Sequence, residues 1–222
     1  FNDFMDLHLQ AWSREPLPEL NERCQRVYSQ EERHKLGELI WLHTKALEDG
    51  ICANGWFDAL GTYYEAFAGN WKKGRLGQFF TPAAICDIMP RTVMPEGDFN
   101  LIGEPTCGSG RIILANQAVR QKNFYYAQDI DPMCVRMCAL NMLHHGAQGV
   151  VLCMDTLKNS DFRFGYAVNV GLHYGNVPNV IYTNERKEVN HYWQLFQQIA
   201  ASRQINSVEE PQESYLAAYI IA

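Results

Sequence analysis

Two hydrophobic rhythms divide this chain. Over the first seventy or so residues, apolar positions recur at three- and four-residue spacings. Leu36, Leu39, Ile40, His43 and Leu47 fall on one helical face. Ser29 followed by Glu32 has the form of a capping box that opens this helix, and Gly50 is placed to close it. An aromatic-rich segment, Trp56 to Phe67, predicts a second helix beside it. From Gly77 the rhythm changes to short apolar blocks alternating with helical stretches. Thr81-Pro82 predicts a helix running to Pro90, with Thr81 as N-cap and Pro82 at the first helical position. Strands are predicted over 99–103, 124–128, 150–154 and 166–171, and helices over 111–120, 132–144 and 189–201. The apolar stretch 214–221 is too short to assign. Alternating strand and helix predict right-handed βαβ units on a parallel, doubly wound sheet. The layout is a helical N-terminal extension over 1–75 and an α/β domain over 76–222.

Composition adds mainly exclusions. The chain is 47% hydrophobic and 20% charged, a globular balance. No apolar run approaches the roughly 20 residues of a bilayer span, and no basic-apolar-small leader marks secretion. The seven cysteines are odd in number and lack a CxxC pair, so they read as reduced thiols in a cytoplasmic core, without a zinc site. His144-His145 reads as the frayed end of a helix and His43 as a satisfied core histidine. A net charge of −6 argues against holding nucleic acid by overall field. Lys72, Lys73 and Arg75 form a local basic strip before the α/β domain that reads as a solvated linker.

The candidate chemistry gathers around "FNLIGEPTCGSGRIILA", residues 99–115. In an open α/β sheet, ligands bind beyond the carboxyl ends of the strands. Gly108 and Gly110 permit close backbone approach there. The third glycine of a dinucleotide fingerprint is absent, and no Lys-Ser pair marks a phosphate loop. Glu104 would repel a pyrophosphate but suits a ligand with an amine or sulfonium. Asp129 follows Gly110 by 19 residues, near the offset at which an acid takes ribose hydroxyls. Asp155, in "LCMDTL", ends the third strand, where it could accept from an adenine amino group. Each acid alone could be an N-cap or a turn. One ligand that satisfies all three is S-adenosylmethionine.

The segments "GQFFTP", "EPTCGSGRIILA", "YAQDIDPMCVRMCALNMLHHG" and "MDTL" resemble successive motifs of adenine-N6 DNA methyltransferases, most of all the modification subunits of type I restriction-modification systems. The resemblance is dense from Gly77 to about Leu157. It implies a Rossmann-like methyltransferase fold, with more strands than the four or five visible here and hence a truncated sheet. It also implies that Thr81 binds the methionine carboxylate and that Glu104, Thr106, Gly108 and Gly110 form the loop around the amino-acid part. By the same resemblance Asp129 binds the ribose, Ile130 packs on the adenine ring, and Asp155 takes its amino group. DNA is the implied substrate, bound with help from a specificity subunit or other protein partner, and the N-terminal helices resemble the region that contacts a specificity subunit or DNA.

The family's catalytic motif, N-P-P-aromatic after the fourth strand, holds a flipped adenine by hydrogen bonds to its amino group and by stacking. Here that strand reads "GYAVNVGLHYGNVPNVIY" and no N-P-P follows. Asn176, with Tyr174 or Tyr182, is the nearest remnant. Three explanations stand: a relative that binds cofactor without catalysis, a rearranged site built on Asn176 with Tyr174 or Tyr182, or a sequence from which a loop is missing.

Overall fold

A computed structural model describes residues 1–15, 18–67, 80–159 and 161–206. The basic strip at 72–75, Gly77 to Phe79 and the apolar stretch 214–221 lie outside the described residues, as does the boundary drawn at 75.

Four helices lead the chain: α1 (Asn2–Ala11), α2 (Pro18–Val27), α3 (Gln30–Asn54) and α4 (Ala59–Phe67). The capping box on α3 is present. The Glu32 N–H donates to Ser29 Oγ at 3.3 Å, and the Ser29 N–H donates to Glu32 Oε2 at 2.8 Å. Gly50 does not end this helix. A Cβ there would lie 2.5 Å from the Phe57 ring, so its bare backbone admits that side chain, and the helix ends instead at left-handed Gly55. Helix α5 (Ala83–Thr92) has Pro82 rather than Thr81 at its N-cap and runs two residues past Pro90.

Strand β1 (Leu101–Glu104), helix α6 (Arg111–Val119), strand β2 (Phe124–Asp129), helix α7 (Pro132–His144) and strand β3 (Gln148–Cys153) follow as two βαβ units. Strands β1, β2 and β3 pair in parallel, with Glu104 opposite Ala127 and Asp129 opposite Cys153. Asp131 caps α7 by accepting from the Met133 N–H at 2.8 Å, ahead of Pro132 at the first helical position.

The expected parallel pairing is realised only over these three strands, and the doubly wound order is not, since both crossover helices lie on one face. Strand β4 (Phe164–Val168) runs antiparallel to β3, and β5 (Val180–Thr183) antiparallel to β4. The reason is the connection. A parallel crossover needs a dozen or more residues, usually helical, whereas residues 154–163 form a shorter link with no helix among its described residues. The five strands stand in chain order, so β1 lies at one edge and the order never reverses beside it.

The strands alternate between two cores. Tyr125, Ala127, Val151, Cys153, Tyr166 and Val168 face Ile113 of α6 and Val135 and Met142 of α7. Met5 and Leu9 of α1 and Leu60 of α4 join the same cluster, so the leading helices share a core with the sheet. Phe124, Val150, Leu152 and Ala167 face the other way, against Val189, Phe196 and Ile199 of α8 (Arg186–Asn206). Burying each such side chain is worth roughly 1.5–3 kcal/mol. Among the described residues, no helix is long and apolar enough to cross a membrane.

Candidate functional site

The carboxyl ends of β1 and β2 bring two acids beside a glycine turn. Glu104 ends β1 and Asp129 ends β2. The Gly108 N–H donates to Asp129 Oδ2 at 2.9 Å, and the Asp131 N–H donates to Asp129 Oδ1 at 2.8 Å. The Cys107 N–H donates to the Gln128 carbonyl at 2.8 Å, tying the loop to β2 a second time. Gly108 and Gly110 both have positive φ, +53° and +93°. A Cβ on Gly108 would sit 3.0 Å from the Phe80 ring, and one on Gly110 would sit 3.1 Å from Cys138 Sγ. Only glycines meet both demands without strain.

Burial pushes both carboxyls above their ordinary range. For Glu104 desolvation is the main cause and the Asp129 charge adds to it, while the Thr106 N–H, donating at 3.3 Å, partly offsets it. For Asp129 desolvation again leads and the Asp131 charge adds to it, against the donated N–H groups of Asp131 and Gly108. Two neighbouring carboxylates short of water favour a positive group between them.

Asp155 is arranged differently. Its Oδ1 accepts from the Leu157 and Lys158 N–H groups at 3.0 and 3.3 Å, and Lys158 Nζ lies 3.5 Å from Oδ2. These bonds, first that from the Lys158 backbone, hold it below the ordinary carboxylate range. It caps its own turn, and that turn reaches the glycine loop through Thr156, whose hydroxyl donates to the Pro105 carbonyl at 2.7 Å. Thr106 and Ile130 are exposed at the same end. Thr81 is held nearby: its carbonyl accepts from Arg111 Nη1 at 3.5 Å, and its neighbour Phe80 packs on Gly108 and against Tyr64 of α4.

What the sequence did not reveal is the clamp beneath this loop. Asp58, buried at the N-terminus of α4, accepts from the Gly61 N–H and from Asn141 Nδ2, both at 2.8 Å. It also accepts from Ser109 Oγ at 2.6 Å and from Arg111 Nε at 2.7 Å. Arg111 Nη2 continues to Glu65 at 2.8 Å. Two side chains of the Gly-Ser-Gly-Arg turn therefore face the helical region, not a ligand. The only trace in the sequence is the Asp-Ala-Leu-Gly string, which has the form of an N-cap.

The remaining two predicted residues are elsewhere. Because β4 is antiparallel, it ends opposite Gly149 at the start of β3, so the loop carrying Tyr174 and Asn176 lies at the amino end of β3. Asn176 Nδ2 donates to the Val170 carbonyl at 3.5 Å within its own loop, and Tyr174 is 65% exposed. The structure does not bring either to Glu104 and Asp129. Asn169, at the root of the same loop, places its amide nitrogen 2.9–3.2 Å from the carbonyls of Met142, Leu143 and Ala147.

Three histidines also gather at this amino end. His8 Nε2 lies 2.9 Å from His144 Nε2, and the His8 and His43 rings meet edge to face at 5.3 Å. His43 is buried as expected but not satisfied, since neither ring nitrogen has a hydrogen-bond partner among the described residues. His144 and His145 are packed rather than frayed. His145 Nε2 accepts from the Phe57 N–H at 3.1 Å, while its Nδ1 lies 2.7 Å from the Asn141 carbonyl.

A three-layer α/β fold with an acid-flanked glycine turn at the carboxyl strand ends defines the class: an open-sheet α/β protein. The particular family follows from comparison. Residues 56–206 match the model of the N-6 DNA methylase family, and the chain belongs to that family. It is 30% identical over 124 residues to the type I restriction enzyme MjaIX methylase subunit of Methanocaldococcus jannaschii, covering 50% of this chain and 22% of that protein. It is 26% identical over 155 residues to the type I restriction enzyme MpnII methylase subunit of Mycoplasma pneumoniae, covering 60% of this chain and 28% of that one. The chain thus spans about a quarter of the length of these curated relatives. No solved structure gives a significant match.

Proposed function

We propose that this chain is the S-adenosylmethionine-binding, Rossmann-like part of an N6-adenine DNA methyltransferase of the type I modification-subunit kind, acting on DNA with a specificity subunit or similar partner. One observation carries the reading: Glu104 and Asp129, both short of water, flank a glycine turn that a side chain would obstruct. When bound, S-adenosylmethionine supplies a methyl group activated by its sulfonium. Glu104, with Thr81, Thr106 and the backbone of Gly108 and Gly110, holds the amino-acid part. Asp129 uses its free lone pairs for the ribose hydroxyls, Ile130 covers the adenine face, and Asp155 accepts from the adenine amino group.

A second reading, a methyltransferase-like interaction protein that binds the cofactor without transfer, is favoured by the placement of Asn176 and Tyr174 at the opposite end of the sheet. Incubating the chain, purified together with its specificity partner, with methyl-labelled S-adenosylmethionine and genomic DNA free of adenine methylation separates the two. Label at adenine N6 is the expected result. Cofactor binding without label in DNA selects the second reading, and absence of cofactor binding rejects both.

A further inference from the structure

Arg111, the first residue of α6, stands directly after the glycine turn, yet its guanidinium reaches back to the leading helices. Its Nε donates to Asp58 Oδ2 at 2.7 Å, its Nη2 to Glu65 Oε2 at 2.8 Å, and its Nη1 to the Thr81 carbonyl at 3.5 Å. The guanidinium carbon lies 5.2 Å from the centre of the Phe80 ring. Phe80 in turn covers Gly108, where a Cβ would come within 3.0 Å of it. One side chain thus ties both ends of α4 and the segment before α5 to the glycine turn, across 53, 46 and 30 residues of chain.

The surroundings are built for this contact. The Arg111 side chain is 12% exposed and that of Asp58 2%. A Cβ on Gly61 would collide with the Asp58 carboxylate, so the first turn of α4 leaves room for it. A planar guanidinium offers donors in several fixed directions at once, which a lysine does not. Two carboxylates balance its one charge, so Arg111 is not free to take an anionic part of a ligand. The glycine turn is held from both sides. Asp129 accepts from the Gly108 N–H on the sheet side, and Asp58 accepts from Ser109 and Arg111 on the helical side.

We propose that Arg111 is a positioning residue for the cofactor, touching no ligand, that fixes the glycine turn and Thr81 relative to Glu104 and Asp129. Helix α4 is then part of what shapes the site, although it offers no group to the ligand. The inference rests on the reading of the carboxyl end as an S-adenosylmethionine site, and adds what holds the amino-acid half of that site in place. Arg111 grips the turn and Thr81 but neither Asp129 nor Asp155. Its replacement is therefore felt by the amino-acid part of the ligand and not by the nucleoside.

Calorimetric titration of the whole chain with two ligands tests this. One is S-adenosylmethionine, and the other is methylthioadenosine, which keeps the nucleoside and lacks the amino-acid part. Arg111→Lys leaves a charge beside Asp58 but cannot hold Glu65 and the Thr81 carbonyl at the same time. It should weaken S-adenosylmethionine binding at least about tenfold and methylthioadenosine binding by no more than about twofold. Glu65→Gln, at a partly exposed position, should act in the same ligand-selective way by about threefold. It carries the test if circular dichroism shows that Arg111→Lys does not fold. An unchanged affinity for S-adenosylmethionine in both variants overturns the proposal. So does an equal loss for both ligands, which marks a general loss of structure. If the original chain binds no S-adenosylmethionine, the cofactor reading itself fails, and this inference with it.

Discussion

The two ends of the sheet use similar polar residues for opposite purposes. At the carboxyl end, Asp129 accepts backbone N–H groups on both oxygens and keeps lone pairs in hand, while Glu104 beside it accepts from Thr106. At the amino end, Asn169, Asn176 and Asn179 turn their amides on the carbonyls around them. Asn179 Nδ2, for example, donates to Val177 and Val170 at 2.9 and 3.2 Å. The first end holds acceptor capacity in a desolvated place where a cation would lower the energy. The second has spent its donors on shaping a loop. A sequence pattern of asparagine, proline and tyrosine therefore does not by itself make a base-binding site. Where the strand delivers it, and what its amide already holds, decide that.

The comparison breaks most severely if the clamp under the glycine turn is removed. Asp58→Ala leaves Arg111, Ser109 and Asn141 without their buried acceptor, and should cost about 3–5 kcal/mol of stability in urea denaturation. A loss below about 1 kcal/mol would mean that the turn stands without α4.

The amino end should fail first in acid. Burial pushes His43 down to about 4, His144 to about 3 and His8 to about 2. A folded-state value below the ordinary 6.5 gives stability that is complete above 6.5 and is lost as pH falls toward the folded value. For His43 alone this amounts to about 2 kcal/mol between pH 7 and pH 5. His43→Leu should flatten the fall in stability over that interval by about that amount, read from denaturation midpoints at the two pH values. An unchanged slope would place the acid sensitivity elsewhere.

Much of this architecture is legible in the sequence because the signals are local. The Pro132–His144 helix, the Ser29 capping box and the acids at strand ends each follow from spacing within a few residues. The direction of β4 is not local. Its apolar run reads the same forward or backward, and it is the short link before it, with no helix among its described residues, that forbids a parallel crossover. Asp58 is hidden for a similar reason: apart from Gly61, its side-chain partners lie 51, 53 and 83 residues away, and nothing near it marks the carboxylate as more than an N-cap. His43 shows a third kind of miss, since burial can be read from a helical face but hydrogen-bond satisfaction cannot.

The smallest effect sharpens the contrast. Asn176→Ala removes one long hydrogen bond in an exposed part of the loop and should change stability by no more than about 0.5 kcal/mol. Its real use is as a partner to Asp129→Ala in one titration. Calorimetry with S-adenosylmethionine on the whole chain and on both variants puts the central claim, that the carboxyl end is the cofactor site, to its most direct test. The account predicts binding by the original chain, an affinity at least about tenfold weaker for Asp129→Ala, and an affinity within about twofold of the original for Asn176→Ala. Binding that survives Asp129→Ala but is lost with Asn176→Ala would contradict it.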